Sequence, residues 1–97
     1  MFEIVESVNE RVYTPKDDIS QYLSLFESSI NEFIRSDSRD IVVDMKFLQF
    51  IDSLTLAAFI RFRRKLSHEG RILKLLNYNA NILRVIELSG LEDFLLE

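Results

Sequence analysis

The sequence predicts an α/β domain: a mixed, mostly parallel sheet of four to five strands with helices packed on it. After residue 15, short β-branched runs alternate with longer segments of helical periodicity. That alternation implies right-handed crossovers between parallel strands. With 97 residues, of which 47% are hydrophobic, we expect one domain over residues 1–97 with a single core.

Composition excludes several classes of function. The net charge of −4 argues against a nucleic-acid partner. The absence of Cys excludes disulfides, thiolate metal sites and a catalytic thiol. The N-terminus does not read as a signal peptide, and no apolar run reaches the ~20 residues that cross a bilayer. We therefore expect a cytoplasmic protein with no membrane insertion, metal or cofactor.

The first third of the chain predicts a hairpin followed by a helix. Residues 2–5 and 11–13 form the hairpin strands, with a turn near Asn9. Thr14 then has the chemistry of a helix N-cap, with Pro15 at the first helical position, and the helix continues to about Arg35. Its apolar stripe at 3.6-residue spacing consists of Ile19, Tyr22, Leu23, Phe26, Ile30, Phe33 and Ile34.

The centre of the chain predicts a strand, a helix and a second strand. The run Ile41–Val43 is typical of a strand covered on both faces, with helices on each side of its sheet. The helix spans roughly Ser53–His68 and ends at Gly70, and the next strand covers residues 72–76.

The C-terminal part predicts a third helix and a last strand. Asn79 or Asn81 caps that helix, which runs through Leu88, with Gly90 as the residue after its end. The segment 93–96 then reads as an edge strand.

The pair Asp52-Ser53 opens the second helix and is the first candidate site. A serine hydroxyl there can cap the helix by accepting a backbone N–H bond. It can instead carry a phosphoryl group, because the helix dipole and free N–H groups favour an anion at that end.

A helical wheel divides the second helix into two faces. One side buries Leu56, Phe59, Phe62 and Leu66 against the sheet, with Ile60 at the margin. The other side gathers six residues that we expect to be exposed or nearly so: Leu54, Ala57, Ala58, Arg61, Arg64 and Lys65. Small apolar residues ringed by cations suit a protein partner. The alternative is that the hairpin or another helix covers Leu54.

Three segments together resemble the STAS domain of bacterial anti-sigma-factor antagonists. FIDSLTL follows VVDM, HEGRILKLLN comes next, and RVIELSGLEDFL closes the series. Asp52, Ser53 and Leu56 match the family's Asp-Ser-x-Gly-Leu segment, Gly70 matches a glycine before a strand, and residues 88–91 match a late Ser/Thr-Gly-Leu segment. The resemblance covers about residues 40–96 and implies a STAS-like fold.

The resemblance implies a phosphorylation switch at Ser53, with Asp52 as the flanking acid. In the family, a serine kinase that is also the anti-sigma factor phosphorylates this serine, and a serine phosphatase reverses the reaction. Asp17 or Asp18 matches an acidic residue that the family often has close to the serine. The sequence departs from the family at Thr55, which replaces the usual glycine and offers a second hydroxyl.

We therefore expect a binding protein and not an enzyme, because one His and no Gly-rich phosphate loop leave no catalytic set. The first hypothesis is a phospho-regulated antagonist of an anti-sigma factor or related kinase. The alternative is a constitutive subunit of a signalling complex or membrane transporter, with Ser53 purely structural. The predicted partner-binding residues are Asp52, Ser53, Leu54, Ala57, Ala58, Arg61, Lys65, Asp17 and Asp18.

Overall fold

A computed structural model describes residues 1–96 and shows a four-stranded mixed sheet with helices. The strands are β1 (Phe2–Glu6), β2 (Glu10–Pro15), β3 (Asp40–Asp44) and β4 (Leu73–Leu76), in that order across the sheet. β1 and β2 are antiparallel, whereas β2–β3 and β3–β4 are parallel. The predicted fold class, strand count and hairpin are confirmed.

Within residues 1–96, four α-helices accompany the sheet. They are α1 (Leu23–Ser36), α2 (Ser53–His68), α3 (Ala80–Leu88) and α4 (Glu92–Leu95), and the 3₁₀ turn Ile19–Tyr22 leads into α1. The bounds predicted for α2 are confirmed, and Gly70 follows it at φ 69° as expected. For α3, the side chain of Asn79 accepts the Ile82 N–H at 2.9 Å, which selects Asn79 over Asn81 as the cap.

The predicted helix start at Thr14 and Pro15 was wrong. Both residues are buried in β2, where Thr14 pairs with Glu3 and Pro15 with Phe2. Proline is tolerated at the end of a strand because only one ladder hydrogen bond is lost. The helical segment begins later, where the Asp18 side chain accepts the Ser20 N–H at 3.1 Å.

The predicted edge strand over residues 93–96 was also wrong. Glu92–Leu95 is the short helix α4, which places Leu95 in the core. Four residues of mixed apolar and acidic character cannot separate a strand from a helical turn by periodicity, so tertiary contact decides.

The helices pack on one face of the sheet, not on both as expected. Two right-handed crossovers that advance in the same direction place α1 and α2 on the same side, and Arg61 of α2 bonds Glu27 of α1 at 2.9 Å. Side chains alternate across a strand. Ile41 and Val43 of β3 therefore join the core under the helices, whereas Val42 faces the other side and lies outside that core cluster.

Aromatic rings fill one end of the core. The Phe26 ring meets Phe2 and Tyr13 edge-on, with ring centroids 5.2 and 5.6 Å apart. Phe62 of α2 approaches Phe26 at 6.5 Å, so one ring of α1 joins the hairpin to α2. This packing fixes α1 against the hairpin and against the middle of α2.

Candidate functional site

The N-terminus of α2 is capped by Asp52, not by Ser53. Asp52 has extended backbone angles, and its Oδ1 accepts the Thr55 backbone N–H at 2.8 Å. That hydrogen bond lowers the pKa of the Asp52 carboxyl, so the group is charged at neutral pH. Ser53 is therefore free of the capping role that the sequence left open to it.

Ser53 is exposed as the first residue of α2. Within residues 1–96 its hydroxyl makes no hydrogen bond to another side chain or to the backbone. A group attached to this oxygen would extend into solvent at the positive end of the helix dipole. The position thus fits a hydroxyl that a second protein can modify. The neighbouring Asp52 carboxylate would repel an added phosphoryl group.

Thr55, the second candidate hydroxyl, has a different environment. Its side chain is 0% exposed, and its Oγ1 makes no hydrogen bond of normal geometry among the described residues. The polar group that it influences is the Asp52 carboxylate, whose pKa the Thr55 side chain helps to lower. A buried and unsatisfied hydroxyl costs stability and cannot be reached by a second protein without opening the first turn of α2. The structure thereby distinguishes two hydroxyls that the sequence places two residues apart.

The apolar residues beside Ser53 divide between surface and core. Leu54 is 68% exposed, and Ala57 is half-buried. The prediction that Ala58 is exposed was wrong, because Ala58 is fully buried in the core. Ala58 lies three residues before Arg61, which bonds Glu27 of α1, so this side of α2 faces α1. A helical wheel shows which residues share a face of the helix. It does not show which faces are covered by neighbouring elements.

The cations of α2 lie beyond the first turn that holds Ser53, and two of them contact α1. Arg61 bonds Glu27 of α1, and Lys65 Nζ bonds the Asn31 amide oxygen at 3.0 Å. At 1.5 Å per residue, Lys65 lies about 18 Å along the helix from Ser53. Both side chains thus join α1 to α2, and Arg64 is exposed near Phe94 at the far end.

Asp17 and Asp18 lie in the connection between β2 and the 3₁₀ turn and have distinct roles. Asp17 adopts a left-handed backbone at φ 60°, and its carboxylate is mostly exposed, 3.6 Å from the amine of Met1. Asp18 uses Oδ1 to cap the 3₁₀ turn. Both border the same open cavity as Phe50, two residues before the Asp52 cap.

That cavity, of about 570 Å³, also exposes two phenylalanines that the sequence analysis did not select. Phe47 is 49% exposed and Phe50 is 60% exposed. The Phe47 ring lies between two ammonium groups, 5.3 Å from Lys16 Nζ and 5.4 Å from Lys46 Nζ. The sequence signal for this surface was a pair of phenylalanines three residues apart in a polar connection. Exposed aromatic rings of this kind often mark a surface that another molecule covers.

Within residues 1–96, no group of three or more His, Asp or Glu side chains is placed to hold a metal ion. In the same part of the chain, no helix is both long and apolar enough to cross a membrane. What the site offers is an exposed hydroxyl, an apolar surface and carboxylates.

Comparison with known proteins identifies the family. The sequence profile of the STAS domain matches residues 4–96. No curated protein gives a significant match to the chain. Several solved structures, all at or below 20% sequence identity, share the fold.

SpoIIAA, an anti-sigma factor antagonist solved in its unphosphorylated form, is 18% identical, with a TM-score of 0.86 over 99% of this chain and 86% of its own. A putative anti-sigma factor antagonist from Thermotoga maritima is 20% identical, with a TM-score of 0.84 over 98% of this chain and 83% of its own. A serine-to-glutamate variant of RsbS from Moorella thermoacetica is 16% identical, with a TM-score of 0.80 over 92% of this chain and 77% of its own. At these identities the structures establish the fold, and the profile match over nearly the whole chain establishes that this protein belongs to the STAS domain family.

Proposed function

We propose that this protein is a phospho-regulated binding switch that acts on other proteins and catalyses no reaction. In this proposal, the unmodified chain binds an anti-sigma factor that is also a serine kinase. Phosphorylation of Ser53 releases that partner, and a serine phosphatase restores binding. The observation that carries the proposal is an exposed Ser53 at the start of α2 whose capping role is taken by Asp52.

The fold of the chain itself tolerates the added charge. A phosphoserine carries about −1.5 to −2 charges at neutral pH. The helix N-terminus favours this charge, while the Asp52 carboxylate opposes it, so the two local effects partly cancel. The hydroxyl of Ser53 makes no hydrogen bond within residues 1–96 that modification would break.

The effect of the charge therefore falls on the partner. Leu54 and Ala57 follow Ser53 on α2 with exposed apolar surface, and a partner that covers them must also remove water from position 53. A dianion at that place costs desolvation energy and repels acidic groups of the partner. Release on phosphorylation follows without any conformational change in α2.

A binding experiment tests the switch. The anti-sigma factor or serine kinase from the same cells is titrated with wild-type, Ser53→Ala and Ser53→Asp protein by calorimetry. We expect Ser53→Ala to bind like the wild type and Ser53→Asp at least about 10-fold more weakly, which corresponds to ~1.4 kcal/mol. Ser24→Asp, at an exposed position of α1, is the matched control for added charge.

Phosphate transfer gives a second readout. With ATP, the kinase should label Ser53 and leave the buried Thr55 unlabelled, as mapped by mass spectrometry. Equal affinity of Ser53→Ala and Ser53→Asp for the partner would contradict the switch. That result would favour the alternative function, a constitutive subunit of a signalling complex or membrane transporter.

A further inference from the structure

A second surface adjoins Ser53, formed by the connection between β3 and α2 together with the connection after β2. We call it the aromatic pocket, lined by Lys16, Asp17, Asp18, Phe47, Gln49 and Phe50. Three of its features together indicate what it binds.

The first feature is apolar area that this chain does not cover. Phe47 and Phe50 are each about half-exposed, whereas Ile51, the next residue along, is buried. The exposure of two aromatic rings in this connection does not stabilise the fold of the chain. It therefore indicates a surface that a partner covers. Leu54, four residues after Phe50, adds a further exposed apolar side chain at the start of α2.

The second feature is an acidic border. The Asp17 carboxylate is largely exposed, with only the Met1 amine at 3.6 Å, and the left-handed backbone at Asp17 holds it at the pocket. The two lysines at the Phe47 ring are each paired with a carboxylate, Lys16 with Glu3 at 3.0 Å and Lys46 with Asp44 at 3.7 Å. With Asp17, Asp18 and the Met1 amine, the groups around the pocket are four carboxylates and three cations, which leaves one net negative charge.

The third feature is continuity with the site of the proposed switch. Phe50 precedes the Asp52 cap by two residues, and Ser53 follows that cap directly. Any partner that covers Leu54 lies at the border of the aromatic pocket.

From these features we infer that the aromatic pocket is the anchor for the partner's binding segment, an amphipathic segment with a bulky apolar side chain next to a lysine or arginine. The apolar side chain packs against Phe47 and Phe50, and the cation meets Asp17. This inference rests on the proposed function for the identity of the partner protein, but the pocket's preference for such a segment can be tested without it.

The occupant restricts how the switch can act. A phosphoserine at position 53 attracts the segment's cation, so release must come from the desolvation cost of the dianion, which has to exceed that attraction. A cation-bearing segment is drawn to this end of the molecule by the carboxylates at Asp17 and Asp18. When its apolar side chain binds, water must leave the surface between Phe50 and Leu54. That surface includes position 53. The rings therefore supply affinity and partner choice, while the serine supplies regulation.

The first arm of the test measures the partner's affinity. Phe50→Ala removes an aromatic side chain of which about half is exposed. A phenylalanine can bury ~200 Å², and the loss of the exposed half from the interface corresponds to roughly 30-fold weaker binding. Phe47→Ala is expected to weaken binding by roughly 10-fold, because its ring already contacts two ammonium groups. Leu25→Ala, an equally exposed apolar side chain on α1, is the control and should change affinity less than about 2-fold.

The outcomes separate the two proposals. Weaker binding of Ser53→Asp with unchanged binding of Phe50→Ala and Phe47→Ala would overturn the anchor and leave the switch intact. Weaker binding of the two phenylalanine variants with no effect at Ser53 would retain the anchor and refute the switch.

The second arm needs no natural partner. A synthetic amphipathic helical peptide of leucine and arginine is titrated into ¹⁵N-labelled protein, and the same peptide with glutamate in place of arginine is the matched control. We expect amide shifts concentrated at residues 16–18 and 47–54 with the arginine peptide, and at least about 10-fold weaker binding with the glutamate peptide. Shifts concentrated on the open sheet face around Val42, or equal affinity for both peptides, would overturn the inference.

Discussion

The buried hydroxyl of Thr55 leads to a prediction in which a conservative substitution raises stability. Thr55 lies in the first turn of α2 with its side chain wholly enclosed, and its Oγ1 makes no hydrogen bond of normal geometry within residues 1–96. Its interaction with the Asp52 carboxylate helps to lower the Asp52 pKa, but the geometry falls short of a hydrogen bond, so we treat the hydroxyl as unsatisfied. An unsatisfied buried hydroxyl costs about 1–3 kcal/mol relative to its hydrated state. Thr55→Val keeps the branched shape and replaces the hydroxyl by a methyl group, and the two residues have similar helix propensity.

The expected gain in the free energy of unfolding is therefore about 1 kcal/mol, at the lower end of that range because a methyl group must fit where an oxygen was. For a domain of this size, that gain raises Tm by roughly 4–8 °C. Urea denaturation followed by far-UV circular dichroism gives the free energy, and an unchanged slope with urea shows that the folded state is the same.

Thr55→Ser provides the control, because it retains the hydroxyl and removes a buried methyl group, which should cost about 1 kcal/mol. A loss of stability in Thr55→Val would refute the reasoning. That loss would mean that the hydroxyl donates a hydrogen bond in solution, to the neighbouring Asp52 carboxylate, and that the threonine supports the cap.

Three further predictions concern α2. Asp52→Ala removes the cap and should lower the free energy of unfolding by about 1 kcal/mol. Because the folded-state pKa of Asp52 is lowered, the stabilisation by its charge is present above the ordinary pKa of 3.8 and is lost as pH falls through the lower folded value. Asp52→Asn, which retains capping geometry, should therefore lose less stability than the wild type on acidification in urea melts, and an identical acid dependence would contradict the pKa direction. Ala58→Leu overfills the buried side of α2 that faces α1 and should cost about 1–3 kcal/mol, whereas Ala57→Leu should cost less than about 1 kcal/mol, as measured by thermal denaturation. Equal tolerance at positions 57 and 58 would mean that α1 does not cover this side of α2.

The longer helices and the central strand could be predicted from sequence, because the patterns that specify them involve residues only a few positions apart. The 3.6-residue spacing of α1 and α2, the glycine after each of α2 and α3, and the β-branched run of β3 all correspond to elements of the structure. The same local chemistry identified the start of α2 as the candidate site. It did not decide which of two adjacent residues caps the helix, because Asp and Ser are both good caps.

Errors arose where two local rules competed or where a contact spans the chain. Thr14-Pro15 has the composition of a helix start, but pairing with Phe2 and Glu3 at the other strand of the hairpin keeps both residues in β2. The end of the chain fits a strand or a helical turn equally well, and burial of Leu95 favours the helix.

By itself, the sequence determined the class of fold, the order of its elements from β1 to α3 and the hydroxyl-bearing turn that opens α2, because periodicity, caps and glycines act between near neighbours. Only the tertiary structure decided which side of α2 is covered by α1, which of Ser53 and Thr55 is accessible, and that Phe47 and Phe50 lie with Asp17 at one pocket. These are contacts between residues about 30 positions apart, and no pattern within one segment encodes which distant segment will cover it.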